Sequence, residues 1–256
     1  MALIAPALLA ADLACLGEAL ETIQAAGAPM VHVDVMDGHF TTDITVGQPV
    51  IHSLRKGTKL ALDVHLLIER PERYVAQFVE AGADRVAVHA ESTPQLHRVL
   101  DLIRARGAKV GLALNPATAV SSVIDVLGEL DFLTILCADA GADLGQPGSK
   151  PPSPGRGAVQ GDGRAAGAAA EVVLGRTLIA ASLEKIRAAA RTRAERSLGF
   201  AIAVEGGVNC ENCVELVLAG ADILVAGSAI FHSDNPKARL AEMIRLASEA
   251  EALNKV

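Results

Sequence analysis

The stretch LALDVHLLIERPERYVAQFVEAGADRVAVHAE, residues 60–91, contains one complete strand–helix–strand unit. Its two ends, 60–66 and 85–90, are nearly continuous apolar runs, which is typical of parallel strands that are covered on both faces. Between them, residues 70–81 place apolar side chains at three- and four-residue spacing, so this segment is predicted to be an amphipathic helix. Gly82 follows it, and glycine is the usual residue for ending a helix in the left-handed conformation.

The same alternation of strand and helix repeats along the whole chain. Eight apolar runs are predicted strands, at 3–8, 31–35, 60–66, 85–90, 109–114, 132–137, 200–205 and 222–227. Helical spacing appears between them, for example at 16–26, 70–81, 94–106, 211–219 and 236–250. Eight such units in 256 residues predict an α/β protein, a single (β/α)8 TIM barrel spanning residues 1–256. A doubly wound open sheet is the alternative, disfavoured because no GxGxxG turn follows the first strand.

One segment does not fit this alternation. Residues 141–175 read GADLGQPGSKPPSPGRGAVQGDGRAAGAAAEVVLG, which is rich in Gly, Pro and Ala and poor in large apolar side chains. Such a composition buries too little surface to offset the entropy lost on ordering. Because the segment follows the sixth strand, it is interpreted either as a flexible loop or as a lid over the substrate, with a short helix within it an option.

Composition excludes several classes of protein. The chain has 23 Lys+Arg against 30 Asp+Glu, a net charge of −7, with 2% aromatic residues and no Trp. Nucleic-acid binding is therefore not expected, since it usually needs a basic face and aromatic stacking platforms. No apolar run approaches the ~18–20 residues of a membrane span, so no membrane association is expected. Four Cys do not make a disulfide framework in a chain of this length, and a cytoplasmic location is predicted.

Polar residues that can carry chemistry lie at the C-terminal ends of the predicted strands, where barrel enzymes place their active sites. His32 and Asp34 are two residues apart and therefore point to the same side of one strand. His65 ends the next strand and Glu205 ends the seventh. Two imidazoles and two carboxylates match the ligand set of Zn²⁺, Fe²⁺, Mn²⁺ or Co²⁺. The alternative is that each is a hydrogen-bonded polar residue near the core.

Two turns are candidates for binding an anion. Gly206 and Gly207 follow the seventh strand, and Gly227 and Ser228 follow the eighth, just before a short predicted helix. The loops after these two strands form the recurrent phosphate site of barrel enzymes, using backbone N–H groups and a helix N-terminus. Ordinary tight turns are the alternative interpretation.

The cysteines and the remaining strand ends carry weaker signals. His89, Asn115 and Cys137 end the fourth, fifth and sixth strands, and Cys137 is a candidate substrate contact because of that position. Cys210 and Cys213 form a lone CxxC at the start of a predicted helix. Without a second ligand pair or a thioredoxin-like context, neither a metal nor a redox role is assigned to them.

A resemblance to a known family now becomes visible. It is carried by IAPALLAADLACLGE, VHVDVMDGHF, ITVGQPVIHSLR, LDVHLLIERPERY, GADRVAVHAE, GLALNPAT, AVEGGVN and ADILVAGSAIF. In these stretches, and over nearly the whole chain outside 141–175, the sequence resembles the ribulose-phosphate 3-epimerase family. The resemblance implies a metal-dependent proton transfer at C3 that interconverts D-ribulose 5-phosphate and D-xylulose 5-phosphate through an enediolate.

Residue roles follow from this resemblance by motif. It implies that His32, Asp34, His65 and Glu205 hold one divalent metal ion, with Asp34 and Glu205 carrying protons on opposite faces of the substrate. Met36 and His65 are expected to contact the sugar phosphate, and the two glycine turns its phosphate. Because the family forms dimers or larger oligomers, a homo-oligomer is expected as well.

The sequence departs from the family pattern close to these residues. Glu205 stands where the family has Asp, and Ala7 where it has Ser. Leu67 and Leu136 replace methionines that line the space above the enediolate in the family. The end of the sixth strand and the loop that follows it, LCADAGADLGQ at 136–146, also depart from the family sequence. These departures keep three alternatives open: an epimerase of another ketose phosphate, such as a hexulose 6-phosphate or a modified sugar phosphate; a related lyase or decarboxylase; and a non-catalytic barrel that binds a sugar phosphate or a protein.

Overall fold

A computed structural model describes residues 2–138 and 178–254 of the chain. Its eight strands are β1 Leu3–Pro6, β2 Met30–Met36, β3 Ala61–Leu67, β4 Arg85–His89, β5 Lys109–Leu114, β6 Phe132–Leu136, β7 Ala201–Glu205 and β8 Ile223–Ala226. All pairs are parallel, and the strand order is β1-β8-β7-β6-β5-β4-β3-β2. A parallel bridge between Ala7 and His32 brings β1 back to β2. The predicted TIM barrel is confirmed, and the alternative of an open doubly wound sheet is wrong.

Helices follow most of the strands along the chain, and the last two come after β8. They are α1 Leu16–Ala25, α2 Gln48–Gly57, α3 Val75–Ala81, α4 Leu96–Ala105, α5 Ala181–Glu195, α6 Cys213–Leu218, α7 Ser228–Phe231 and α8 Pro236–Asn254. The helix predicted at 70–81 begins as a short 3-10 helix, because Arg70 precedes a proline and adopts a left-handed φ of 52°. Between β5 and β6, two 3-10 helices, Val120–Val123 and Leu127–Glu129, take the place of an α-helix.

Side chains alternate along each strand between the helix layer and the barrel interior, as the two-residue period requires. The interior contains two apolar clusters with polar side chains between them. The larger cluster surrounds Phe132 and contains Ala5, Ala7, Met30, Ala87, Phe132, Ala203, Ile223 and Val225. The smaller cluster, which we call the top layer, contains Met36, Leu67, Ala113 and Leu136 near the C-terminal ends of their strands. Buried polar side chains fill the space between the two, at the depth of His32 and His65.

Phe132 fills the floor of this polar layer, and the sequence makes room for it on the neighbouring strand. A Cβ atom on Gly111 would lie 2.2 Å from the Cζ atom of the Phe132 ring, so only glycine fits there. The Arg85 guanidinium lies over the other side of the floor, 3.9 Å from the ring centroid, in a cation–π contact. The Phe132 ring therefore holds the positively charged Arg85 guanidinium beneath the buried polar side chains.

The predicted insert at 141–175 lies outside the described residues, as does the short helix considered within it. Within the two described ranges, none of the helices combines the length and the apolar character that crossing a membrane requires.

Candidate metal centre

The polar layer brings four of the predicted residues together. His32 and Asp34 come from β2, His65 from β3 and Glu205 from β7, and Asp34 lies opposite His65 in the strand register. One donor atom from each residue lies within 4.8 Å of the other three, and all four side chains are buried. The sequence prediction that these residues converge is confirmed.

The spacing of the donor atoms fits a single cation. His65 Nδ1 lies 3.1 Å from Asp34 Oδ1 and 3.0 Å from Glu205 Oε2. His32 Nε2 lies 3.1 Å from Asp34 Oδ1 and 3.4 Å from Glu205 Oε2. Tetrahedral ligands about 2.0–2.1 Å from Zn²⁺ are separated by roughly 3.4 Å, so small outward shifts would accommodate the ion. Imidazole nitrogen and carboxylate oxygen are also the donors that such an ion prefers.

The pKa values of the clustered side chains show how their charges balance when no ion is bound. Burial lowers the pKa of His65, but the charges of Glu205 and Asp34 outweigh it and raise the value to about 9. Burial likewise opposes a rise at His32, where Asp34 nevertheless holds the pKa well above its usual range. Burial favours the neutral acid at Glu205, yet His65 keeps its pKa well below the usual value. Protons on the imidazoles thus balance the carboxylates, and a divalent cation would replace them.

His32 is supported from behind by a buried carboxylate. Its Nδ1 atom lies 2.8 Å from Asp63 Oδ2, and Asp63 also accepts a 2.9 Å hydrogen bond from Arg85 Nε. Because ionised Asp63 only accepts hydrogen bonds, His32 must carry a proton on Nδ1, which leaves Nε2 for the cluster. We refer to His32, Asp63 and Arg85 as the His32 arm.

His65 is supported by a longer chain of groups. Its Nε2 atom lies 2.9 Å from His89 Nε2, and His89 Nδ1 lies 3.1 Å from Glu91 Oε2. The other oxygen, Glu91 Oε1, accepts hydrogen bonds from the backbone N–H of Asn115, at 2.9 Å, and from the Thr118 hydroxyl. Burial lowers the pKa of His89 and disfavours its charged form. We refer to His65, His89 and Glu91 as the His65 arm.

The glycine turns lie where the sequence predicts them. Gly206 and Gly207 have φ values of 102° and 72°, which side chains with a Cβ atom rarely adopt. A Cβ atom on Gly206 would also lie 2.8 Å from the backbone nitrogen of Ala138. Gly227 precedes α7 and Ser228 is its first residue. Because β7 and β8 are paired neighbours, both turns leave the barrel side by side.

An apolar cap covers the polar layer. It consists of the top-layer residues Met36, Leu67, Ala113 and Leu136, with Leu9 and Phe40 packed against them. The two leucines that replace methionines in the resemblance therefore lie in the same cluster as Met36. Leu67 is the inward-facing residue after His65 on β3, and Leu136 is the inward-facing residue after Thr134 on β6. The cap limits the access of water to the donor atoms below.

Two sets of residues differ from the sequence analysis. The prediction that Cys137 contacts substrate is wrong, because its side chain is buried in the cluster between strands and helices. Cys137 follows Leu136, so strand alternation turns it outward. Conversely, sequence reasoning missed Asp63 and Arg85. A signal for Asp63 existed, since it lies two residues before His65 and therefore faces the same side.

The fold and this site define the chain as a TIM barrel with a polar centre at the end of the strands where barrel enzymes react. The sequence model of the ribulose-phosphate 3 epimerase family matches residues 3–147 and 173–231. The chain therefore belongs to the ribulose-phosphate 3-epimerase family, and it is an enzyme of the isomerase class.

Individual relatives agree with this assignment. Ribulose-phosphate 3-epimerase of Bacillus subtilis is 36% identical over 241 residues, covering 94% of this chain and 97% of the relative. The protein of the same name from Synechocystis is 38% identical over 234 residues, covering 91% and 88%. Among solved structures, 3-hexulose-6-phosphate synthase from Salmonella typhimurium matches with a TM-score of 0.63 at 18% identity, covering 98% and 100% of the chains. At that identity, the structural match supports the fold alone.

Proposed function

We propose that the protein is a metal-dependent 3-epimerase that interconverts D-ribulose 5-phosphate and D-xylulose 5-phosphate. The observation that carries the proposal is the convergence of Asp34 and Glu205 with two imidazoles in a layer closed by apolar side chains above and below. Family membership supports the assignment, as do the names of relatives that align over nine tenths of this chain.

The two carboxylates supply the proton transfer. Asp34 takes the proton from C3, and the electron pair of that C–H bond moves toward C2 and its carbonyl oxygen, which gives an enediolate. Glu205 is ionised in the metal-free cluster, so this direction of the reaction requires the enzyme form in which Glu205 carries a proton. In that form the Glu205 carboxylic acid delivers the proton to the opposite face of C3, and the electron pair returns from the enediolate. Asp34 ends protonated and Glu205 ionised, so the pair is ready for the reverse reaction.

Other groups lower the energy of the charged intermediate and hold the substrate. One divalent ion bound by His32, Asp34, His65 and Glu205, whether Zn²⁺, Fe²⁺, Mn²⁺ or Co²⁺, would supply positive charge that stabilises the enediolate. The cap around Met36 keeps water from protonating it. His65 would contact the sugar. The phosphate would be held by the two turns after β7 and β8, which contain Gly206, Gly207, Gly227 and Ser228.

The proposal is tested by incubating the purified protein with ribulose 5-phosphate in D₂O and following the C3 proton by NMR. Exchange that yields xylulose 5-phosphate and stops on addition of a chelator is the expected result. A metal-loaded protein that exchanges no proton would contradict the assignment.

A second substrate class remains worth comparing because Leu67 and Leu136 shape the cap in this chain. Replacing two flexible methionines with branched leucines changes the space above the carbon that reacts. Turnover of hexulose 6-phosphate is measured in parallel, and a higher kcat/KM on it than on the pentulose would reassign the substrate. Release of CO₂ or formaldehyde would instead indicate a lyase.

The remaining expectations also belong to this proposal. We infer a homo-oligomer in the cytoplasm, from the behaviour of the family and from the acidic, cysteine-poor composition. Light scattering on the purified protein gives the oligomeric state, and a monomer at micromolar concentration would contradict that part.

A further inference from the structure

The His65 arm contains two groups that the proposed chemistry does not use, His89 and Glu91. Both lie beyond the four ligands, yet they form a continuous path from His65 Nε2 to the rim of the barrel. The His89 side chain is fully buried, and the Phe40 ring lies 4.7 Å from its ring centroid. The Nε2 atoms of His65 and His89 are 2.9 Å apart, so one of them must donate a proton to the other. Which one donates depends on the partner of His89 at its other nitrogen, which is Glu91.

Glu91 sets that direction. Its Oε1 atom accepts hydrogen bonds from the Asn115 N–H and the Thr118 hydroxyl, so it is held as a carboxylate that can only accept. His89 must therefore donate from Nδ1 to Glu91. A neutral imidazole with a proton on Nδ1 accepts at Nε2, so His65 donates from Nε2. The Nδ1 atom of neutral His65 is then left with a free lone pair, directed at Asp34 and Glu205.

We propose that His89 and Glu91 are positioning residues that fix the tautomer of His65, so that its Nδ1 atom is available to bind the metal ion. This inference rests on the proposed metal site and deepens it. Glu91 acts through His89 and touches neither the substrate nor the ion.

The substitution Glu91→Gln reverses the direction of the hydrogen bonds that join residue 91, His89 and His65, while the side chain keeps its size and shape. The Asn115 N–H still requires an acceptor, so the amide oxygen of Gln stays on that side and its NH₂ group faces His89. His89 must then accept at Nδ1 and donate from Nε2 toward His65. His65 can accept that bond only if its proton moves to Nδ1, where it competes with the metal ion. Glu91→Ala, in contrast, leaves His89 open to water, which accepts or donates equally well.

Affinity for Co²⁺ is measured from its visible absorption bands in the chelator-treated full-length protein and in both variants. Loss of a hydrogen-bonded partner behind a metal ligand typically weakens binding about 10–100-fold. We expect that loss for Glu91→Gln and a smaller one for Glu91→Ala. A purely structural role for Glu91 would give the opposite order, since Gln preserves packing and Ala removes it.

The exposed pair of His97 and Glu129 provides the matched control, with His97 Nδ1 2.6 Å from Glu129 Oε1. Glu129→Gln and Glu129→Ala should leave the Co²⁺ affinity unchanged. Thermal unfolding of each metal-free variant confirms folding, and His89→Gln, which can accept from His65 and donate to Glu91, should retain more affinity than Glu91→Gln.

The outcomes are distinguishable. Wild-type protein that fails to bind Co²⁺ would contradict the proposed metal site itself. Wild-type binding with Glu91→Gln equal to wild type, or stronger than Glu91→Ala, would overturn the inference alone. If the Glu91 variants do not fold, the comparison of His89→Gln with His89→Leu decides, and equal affinities of those two would overturn it.

Discussion

The two histidines of the metal centre are supported in different ways. His32 contacts a buried carboxylate directly, and Asp63 in turn binds Arg85, which stacks on the barrel floor. His65 reaches its carboxylate only through a second imidazole, and that carboxylate lies near the rim, with its side chain 25% exposed. The His32 arm is therefore part of the core, whereas the His65 arm ends in loops. We expect the first to affect stability and metal binding together, and the second mainly metal binding.

The largest effect, on the rate of epimerisation, is expected at Glu205, which contacts the histidines of both arms. Glu205 contacts both imidazoles and is the proposed second proton carrier, so Glu205→Gln removes the acid while keeping the size of the side chain. Loss of a general acid or base lowers rates about 10²–10⁴-fold. We expect kcat for epimerisation to fall within that range, measured in a coupled assay with saturating metal.

Deuterium exchange separates the roles of the two carboxylates. With Glu205→Gln, the pentulose whose C3 proton faces Asp34 should still exchange with D₂O without forming its epimer. Asp34→Asn should abolish exchange on that substrate. Equal exchange in the two variants would show that the carboxylates do not act on opposite faces.

The next largest effect concerns the His32 arm. Asp63→Ala leaves the Arg85 guanidinium without its carboxylate and frees the tautomer of His32. Removing one partner of a buried ion pair typically lowers the free energy of unfolding by about 3–5 kcal/mol. We expect a loss of that size in urea unfolding of the metal-free protein.

The same measurement tests the comparison between the arms. Glu91→Ala should lower the free energy of unfolding by only about 1 kcal/mol, the usual net contribution of a hydrogen-bonded group. The double variant Asp63→Ala/Arg85→Met should recover part of the loss, because no unpaired guanidinium is left in the core. Similar losses for Asp63→Ala and Glu91→Ala would show that the two arms do not differ.

Sequence periodicity predicts one arm better than the other. Strand alternation places His32 and Asp34 on one face, and by the same argument Asp63 lies on the face of His65, so the core of the site follows from local spacing. Glu91 follows the end of β4, where the two-residue period no longer applies. Its partners Asn115 and Thr118 lie 24 and 27 residues further along the chain. Such contacts depend on how the loops pack, which spacing within one strand does not determine.

A pH dependence follows from the imidazoles that the arms hold. In metal-free protein the pKa of His65 is raised from 6.5 to about 9, because Glu205 and Asp34 outweigh the effect of burial. The folded state therefore binds the proton more tightly than the unfolded chain does. That contribution to stability is fully present below pH 6.5 and is lost as the pH rises through about 9. We expect the Tm of chelator-treated protein to fall across this interval.

The stabilisation that the bound metal ion provides should change with pH in the opposite direction. Binding the ion requires deprotonated imidazoles, so its stabilising effect increases as the pH rises through the same interval. The difference in Tm between loaded and chelator-treated protein should therefore widen from pH 6.5 to 9. A Tm of the metal-free protein that rises over this interval would contradict the charge balance described for the cluster.

The smallest effect is expected at the outer end of the His65 arm. Thr118 donates its hydroxyl to Glu91, and Thr118→Val removes that donor while keeping the branched shape. Glu91 still accepts from Asn115, so the direction of the arm is retained, and the Co²⁺ affinity should change little. The free energy of unfolding should fall by about 0.5 kcal/mol, the lower end of the net contribution of one hydrogen bond, because the Glu91 side chain is partly exposed to water. Thr118→Ser, which keeps the hydroxyl, is the control. A loss of Co²⁺ affinity in Thr118→Val as large as in Glu91→Gln would mean that the hydroxyl, rather than the backbone N–H of Asn115, fixes the orientation of Glu91.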